Sequence, residues 1–121
     1  MAINKVLIVD DSSTDRSNLS KIVDDAGCTV LTANNGREAV EKAKQEKPDI
    51  IFMDIVMDEM DGYEATRTLS NDGSTKDIPV IFVSSKRQKA DRVWAKMQGG
   101  KDLVSKPFTA QQIMDQIKAY S

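Results

Sequence analysis

Two kinds of segment alternate along the chain, and that alternation limits its fold more than any other feature. Short apolar runs stand at 5–9 (KVLIV), 29–33 (TVLTA), 50–53 (IIFM), 79–83 (PVIFV) and 102–105 (DLVS). They are too short for helices, and all but the last are rich in the β-branched residues that suit strands. Between them the period changes. Leu19, Ile22, Val23 and Ala26 follow the i, i+3, i+4, i+7 spacing of one helix face. Ala39, Val40 and Ala43 do so more weakly, and Ile113, Met114, Ile117 and Tyr120 make the last such stripe. Asn35 with Glu38, Asp61 with Glu64, and Thr109 with Gln112 each form a capping pair that starts a helix. Gly27 closes the first helix and Gly99–Gly100 the fourth. The order is βαβαβαβαβα, which with short connections implies a parallel sheet covered by helices on both faces. The uninterrupted run at 50–53 fits a strand buried on both sides. No internal repeat, linker or low-complexity stretch interrupts the pattern, and the polar loop SNDGSTKD (70–77) reads as a mobile surface segment.

Composition narrows the chemistry. The 121 residues are one domain's worth and enough for a real core. A net charge of −2 speaks against a nucleic-acid partner, which calls for a basic face. No leading apolar stretch resembles a signal peptide, since Lys5 and Asp10 bracket only VLIV. No run approaches the roughly 18 residues that span a bilayer. Membrane insertion is therefore not expected. The single cysteine, Cys28, permits no internal disulfide and reads as a buried or half-buried thiol, and the chain is expected in the cytoplasm. There is no histidine. That removes the commonest general base, the Ser–His and Cys–His nucleophile pairs, and imidazole metal sites. A metal here must be held by oxygen, which favours a hard cation such as Mg²⁺.

Ligands of open α/β sheets bind outside the carboxyl ends of the strands. Strand 1 leads to Asp10–Asp11, strand 3 to Asp54, strand 4 to Ser84–Ser85 and strand 5 to Lys106–Pro107. Three carboxylates brought to one edge repel one another unless a cation joins them. Mg²⁺ typically takes one or two carboxylates together with phosphate oxygens. A lysine cannot bind the metal but offsets charge on an anion. The set therefore suits a phosphoryl group, with Asp54 as nucleophile and the metal and Lys106 balancing charge on the transferring oxygens.

The stretches VLIVDDS, MDIVMDEMDGYEA, IPVIFVSS and SKPF, in that order and spacing over nearly the whole chain, resemble the receiver domain of two-component response regulators. The resemblance implies a flavodoxin-like (βα)₅ three-layer sandwich with a five-stranded parallel sheet. It implies a single receiver domain over 1–121 with no output domain. By position, Asp54 is similar to the phosphoacceptor, and Asp10 and Asp11 to the acidic pair that holds Mg²⁺. The backbone carbonyl of Val56 is a further metal ligand by the same likeness. Ser84 matches the switch hydroxyl and Lys106 the lysine that pairs with the phosphoryl; the bond before Pro107 is often cis. The family is regulatory: its members catalyse only their own phosphorylation and dephosphorylation. A CheA-like histidine kinase is the implied donor. The implied output is a protein partner docking on the helix 4–strand 5–helix 5 face. The helix containing VW and QG before KPF, with DGYEATRTLS, is similar to the single-domain receivers of type IV pilus (twitching) chemotaxis-like systems.

Several positions depart from the family pattern. Asp58 stands where Pro is usual, Ser85 where Ala is frequent, and Leu103 where an aromatic switch residue is usual. Leu103 reads as core packing. Val56 and Lys86 occupy positions that tune hydrolysis in relatives, and an apolar residue at 56 cannot orient an attacking water. Trp94 reads as a packing anchor, with an interface role as its alternative. The basic residues Lys86, Arg87, Lys89 and Arg92 read as a solvated helix face, alternatively a dock for an acidic partner. Two other functions compete. A haloacid-dehalogenase-type phosphatase needs a second Asp two places after the nucleophile, where this chain has Val56. A phosphorylation-independent pseudo-receiver binding module is favoured by Leu103 and opposed by the intact acidic set.

Overall fold

The computed structural model describes residues 3–57, 59–85 and 89–121, with backbone only for Lys89 and Ala90. Asp58, Lys86 and Arg87, and the side chain of Lys89, lie outside the described residues. Five strands, β1 (Lys5–Val9), β2 (Thr29–Ala33), β3 (Ile50–Met53), β4 (Val80–Ser84) and β5 (Asp102–Ser105), alternate with five helices. These are α1 (Ser13–Asp25), α2 (Gly36–Glu46), α3 (Gly62–Ser70), α4 (Lys89–Met97) and α5 (Ala110–Ala119). All strand pairs are parallel, and the sheet order is β2-β1-β3-β4-β5. This is the flavodoxin-like doubly wound arrangement.

Strand periodicity sorts the core into two layers. Leu7, Val9, Ile51, Met53, Phe82 and Leu103 point to the face covered by α2, α3 and α4, where Ala39, Ala43, Ala65, Leu69 and Ala95 meet them. Val6, Ile8, Ile50, Phe52, Ile81, Val83 and Val104 point to the other face, against Leu19 and Val23 of α1 and Ile113 and Ile117 of α5. Leu103 is buried in the first layer, in register with Phe82, as a packing residue should be. Cys28 is half-buried with its Sγ 3.6 Å from the Ile3 carbonyl oxygen, and burial with the charge of Asp49 pushes its thiol pKa up.

The helix starts follow the capping pairs. The side chains of Asn35, Asp61 and Thr109 accept from the backbone N–H of Glu38, Glu64 and Gln112, and Thr109 with Gln112 forms a full capping box. Gly27 and Gly99 take φ of +87° and +102° just past α1 and α4, the left-handed geometry that a β-carbon disfavours.

The 70–77 loop lies at the surface, as expected, with most of its residues exposed, and its side chains hold it by internal bonds. Thr75 is buried and donates to the Leu69 carbonyl at 2.8 Å. Asp72 accepts from the Ser74 N–H and hydroxyl at 2.8 and 2.7 Å and pairs with Lys44 of α2 at 3.4 Å. Its polar residues bond one another, which composition alone does not reveal. Arg92 is exposed, as a solvated helix face implies, and its guanidinium also donates to the Leu103 carbonyl at 2.7 Å and reaches Asp102 at 3.3 Å, fastening α4 to β5.

Candidate phosphoacceptor and metal site

The site is built at the carboxyl edge by extending the sheet's own hydrogen bonds. Asp10 N–H donates to the Ala33 carbonyl at 3.2 Å, Asp54 N–H to Val9 at 2.9 Å, and Lys106 N–H to Ser84 at 2.7 Å. Each functional residue therefore sits one step beyond a strand and keeps ladder geometry, which fixes where its side chain starts. Ser84 is the last residue of β4 and is 2 % exposed, in register with Ser105.

Asp10, Asp11 and Asp54 each offer a carboxylate oxygen, and the three atoms lie within 4.8 Å of one another. Asp10 is buried, Asp54 is 9 % exposed and Asp11 faces solvent. Two bonds hold the inner pair. The Ser12 N–H donates to Asp10 Oδ1 and the Ile55 N–H to Asp54 Oδ1, both at 2.9 Å. Burial, and then the charge of Asp10, raise the Asp54 pKa to about 6, against the opposing pull of Lys106 and the Ile55 N–H. A cluster of hard oxygen donors that raises the pKa of its own member fits a hard divalent cation.

Lys106 Nζ lies 3.0 Å from Asp10 Oδ2 and 3.7 Å from Asp54 Oδ1. It lies 2.8 Å from Asp15 Oδ2. Burial works against its charge, but bonds to Asp15 and Asp10 and the charge of Asp54 outweigh burial and push its pKa up, so it is a permanent cation. Asp15 was not singled out from sequence. Its only signal there is an acid in the first turn of a helix that starts at the site, which ordinarily marks dipole compensation.

The loop after Asp54 is set by close backbone approaches. Gly62 N–H donates to the Ile55 carbonyl at 2.8 Å, and a β-carbon at 62 would lie 2.1 Å from the Asp54 carbonyl oxygen. Ile55 is buried, whereas Val56, two residues after Asp54, is 70 % exposed. The bond between Lys106 and Pro107 is cis. The structure thus gathers Asp10, Asp11, Asp54 and Lys106, with Ser84 buried at the end of the neighbouring strand and Val56 in the adjoining bend.

The pattern of the response regulator receiver domain matches residues 6–118. The chain belongs to that family. The protein PilH of Pseudomonas aeruginosa is 44% identical over 95% of this chain and 95% of its own length. The fold is similar to that of the Vibrio cholerae chemotaxis protein CheY4, at a TM-score of 0.91, 30% identity and coverage of 99% and 100% of the two chains. It is also similar to CheY in the CheX–CheY–BeF₃–Mg²⁺ complex of Borrelia burgdorferi, at a TM-score of 0.89, 28% identity and coverage of 96% and 87%. As a receiver, the chain is a regulatory signalling domain of CheY-like type. Among the described residues no helix is long and apolar enough to cross a membrane.

Proposed function

We propose that this receiver is a cytoplasmic response regulator of a two-component phosphorelay, accepting a phosphoryl group on Asp54 with Mg²⁺ from a CheA-like histidine kinase. The observation that carries the reading is the convergence of three carboxylate oxygens within 4.8 Å beside a lysine that reaches the inner pair. Asp10, Asp11, Asp54 and the Val56 carbonyl would hold the metal, whose positive charge would offset the negative charge on the phosphoryl oxygens.

The rest is work for the protein's own groups. In its ionised form Asp54 presents a carboxylate whose Oδ1 is anchored by the Ile55 N–H. A carboxylate oxygen attacks phosphorus. The bond from phosphorus to the donor breaks, and its electron pair stays on the kinase imidazole nitrogen or, for acetyl phosphate, on acetate. Lys106 supplies a cation to the anionic product, and Ser84 supplies the hydroxyl that bonds it.

Phosphorylation then biases two conformations of the face formed by α4, β5 and α5, where a protein partner docks. The likeness to PilH and to chemotaxis CheY proteins supports a chemotaxis-like pathway controlling type IV pilus motility. Intact-mass analysis after incubation with acetyl phosphate tests the proposal. A single adduct that requires Mg²⁺ and disappears in Asp54→Asn is expected. No adduct and no Mg²⁺ binding by calorimetry would instead leave a phosphorylation-independent binding module.

A further inference from the structure

Lys106 is drawn more closely to an acid outside the phosphoacceptor set than to Asp54. Its Nζ lies 2.8 Å from Asp15 Oδ2 but 3.7 Å from Asp54 Oδ1. Asp15 is well held for this role. It occupies the first turn of α1, and its N–H donates to the Oγ of the N-cap Ser12 at 3.3 Å. The next residue, Arg16, donates from its guanidinium to the Asp10 carbonyl at 2.7 Å and ties the helix start to the end of β1. The Asp15 carboxylate is therefore carried on a capped helix end fastened to the site. The bond itself is short and charge-assisted, and the lysine side chain is only 19% exposed.

We propose that Asp15 is a positioning residue for Lys106, an anchor that competes with the phosphoryl group on Asp54 for the same ammonium. The proposal rests on Asp54 being the phosphoacceptor. Lysine's charge is compact and its stem flexible, so the ammonium can move between acids, but its attraction is shared among those within reach. An anion on Asp54 draws Lys106 toward it, which stretches or breaks the 2.8 Å bond to Asp15. The free energy of that bond is then subtracted from the affinity for the phosphoryl group. Neutralising Asp15 removes the competitor while leaving Asp10, Asp11 and Asp54 in place.

The probe is fluoroberyllate with Mg²⁺, a mimic of the phosphoryl group on a carboxylate, titrated by calorimetry. Asp15→Asn is expected to bind it about five- to ten-fold more tightly than the wild type, the range of a partly exposed charge-assisted bond. Asp15→Glu, which keeps the charge, is expected to return toward the wild-type affinity. The ¹⁵N resonance of the Lys106 ammonium in the ligand-free protein is expected to move in Asp15→Asn. Unchanged or weaker binding by Asp15→Asn would overturn the proposal. So would the same tightening in a Lys106→Met background, which would make Asp15 a general repulsive charge. If Lys106→Met binds too weakly to measure, the ammonium resonance decides, and an unmoved signal overturns the anchor. A wild type that binds no fluoroberyllate would overturn the phosphoacceptor reading and the competition with it. A wild type that binds, with an unaltered Asp15→Asn, overturns the competition alone.

Discussion

Asp54 stands under opposing demands. A strand end aims it at the edge of the sheet, where burial and Asp10 disfavour its charge, yet nucleophilic attack requires that charge. Its pKa of about 6, against an ordinary 3.8, measures the conflict. An acid with a raised folded pKa adds stability below its unfolded value, and that contribution is lost as the pH climbs through the folded value. In the metal-free protein at about pH 7.5, the ionised Asp54 is therefore a net cost to folding. Asp54→Asn is expected to stabilise that form by on the order of 2 kcal/mol. The advantage should shrink as the pH falls from about 6 toward 3.8. Thermal melts of both proteins across that window check the sign, and an advantage that grew toward acid would contradict it. Val56 makes a second prediction. Its side chain, two residues after Asp54, is 70 % exposed and has no group to orient water. Val56→Asn should shorten the lifetime of the phosphoryl group several-fold, followed as loss of the mass adduct after removing the donor. Equal lifetimes would take position 56 out of the account.

At the scale of elements, the start of α3 comes close to the backbone at Asp54. Gly62 permits it, because a β-carbon there would lie 2.1 Å from the Asp54 carbonyl oxygen and 3.0 Å from the Ile55 Cα. Backbone cannot yield as a flexible side chain does. Gly62→Ala should therefore cost about 2–3 kcal/mol in urea unfolding and slow phosphorylation as the loop shifts. Full stability with full activity would show that the loop tolerates the atom.

The elements themselves were largely legible in sequence, since strand runs and caps are local signals. The fourth strand begins one residue later than its apolar run, at Val80, because Pro79 has no N–H for the ladder; its carbonyl still accepts from Ile51 at 3.0 Å. The orientation of α4 was not legible. Ala95 and Gln98 are buried, while Val93, Trp94 and Met97 are 54%, 49% and 70% exposed. Trp94 is set T-shaped to Tyr63 with centroids 6.3 Å apart. Ala95 is the small residue that faces the sheet, and the large apolar residues lie outside, which a hydrophobicity pattern reads in reverse.

At the scale of the whole molecule, the fold gathers at one edge charges that are far apart in sequence. The acidic set was legible because its acids lie within two residues of a strand end, and strand ends share an edge in a parallel sheet. The bond from Lys106 to Asp15 was not. It joins residues 91 apart, and a first-turn acid carries no mark of its partner. The convergence has a thermodynamic consequence. A cation bound only by the folded protein stabilises it by mass action, about 2.7 kcal/mol at a concentration of one hundred times Kd. Mg²⁺ should raise the melting temperature of the wild type, chelation should reverse the rise, and Asp10→Asn should abolish most of it. A melting temperature indifferent to Mg²⁺ would contradict the metal assignment.

The central claim is that the phosphoryl group is carried by Asp54. Borohydride reduces an acyl phosphate to the alcohol and leaves free carboxylates alone, so it marks the acceptor. After treatment with acetyl phosphate and Mg²⁺, reduction and peptide mass spectrometry should find homoserine at position 54 and nowhere else. Homoserine at Asp10, Asp11 or another acid, with Asp54 intact, would contradict the account.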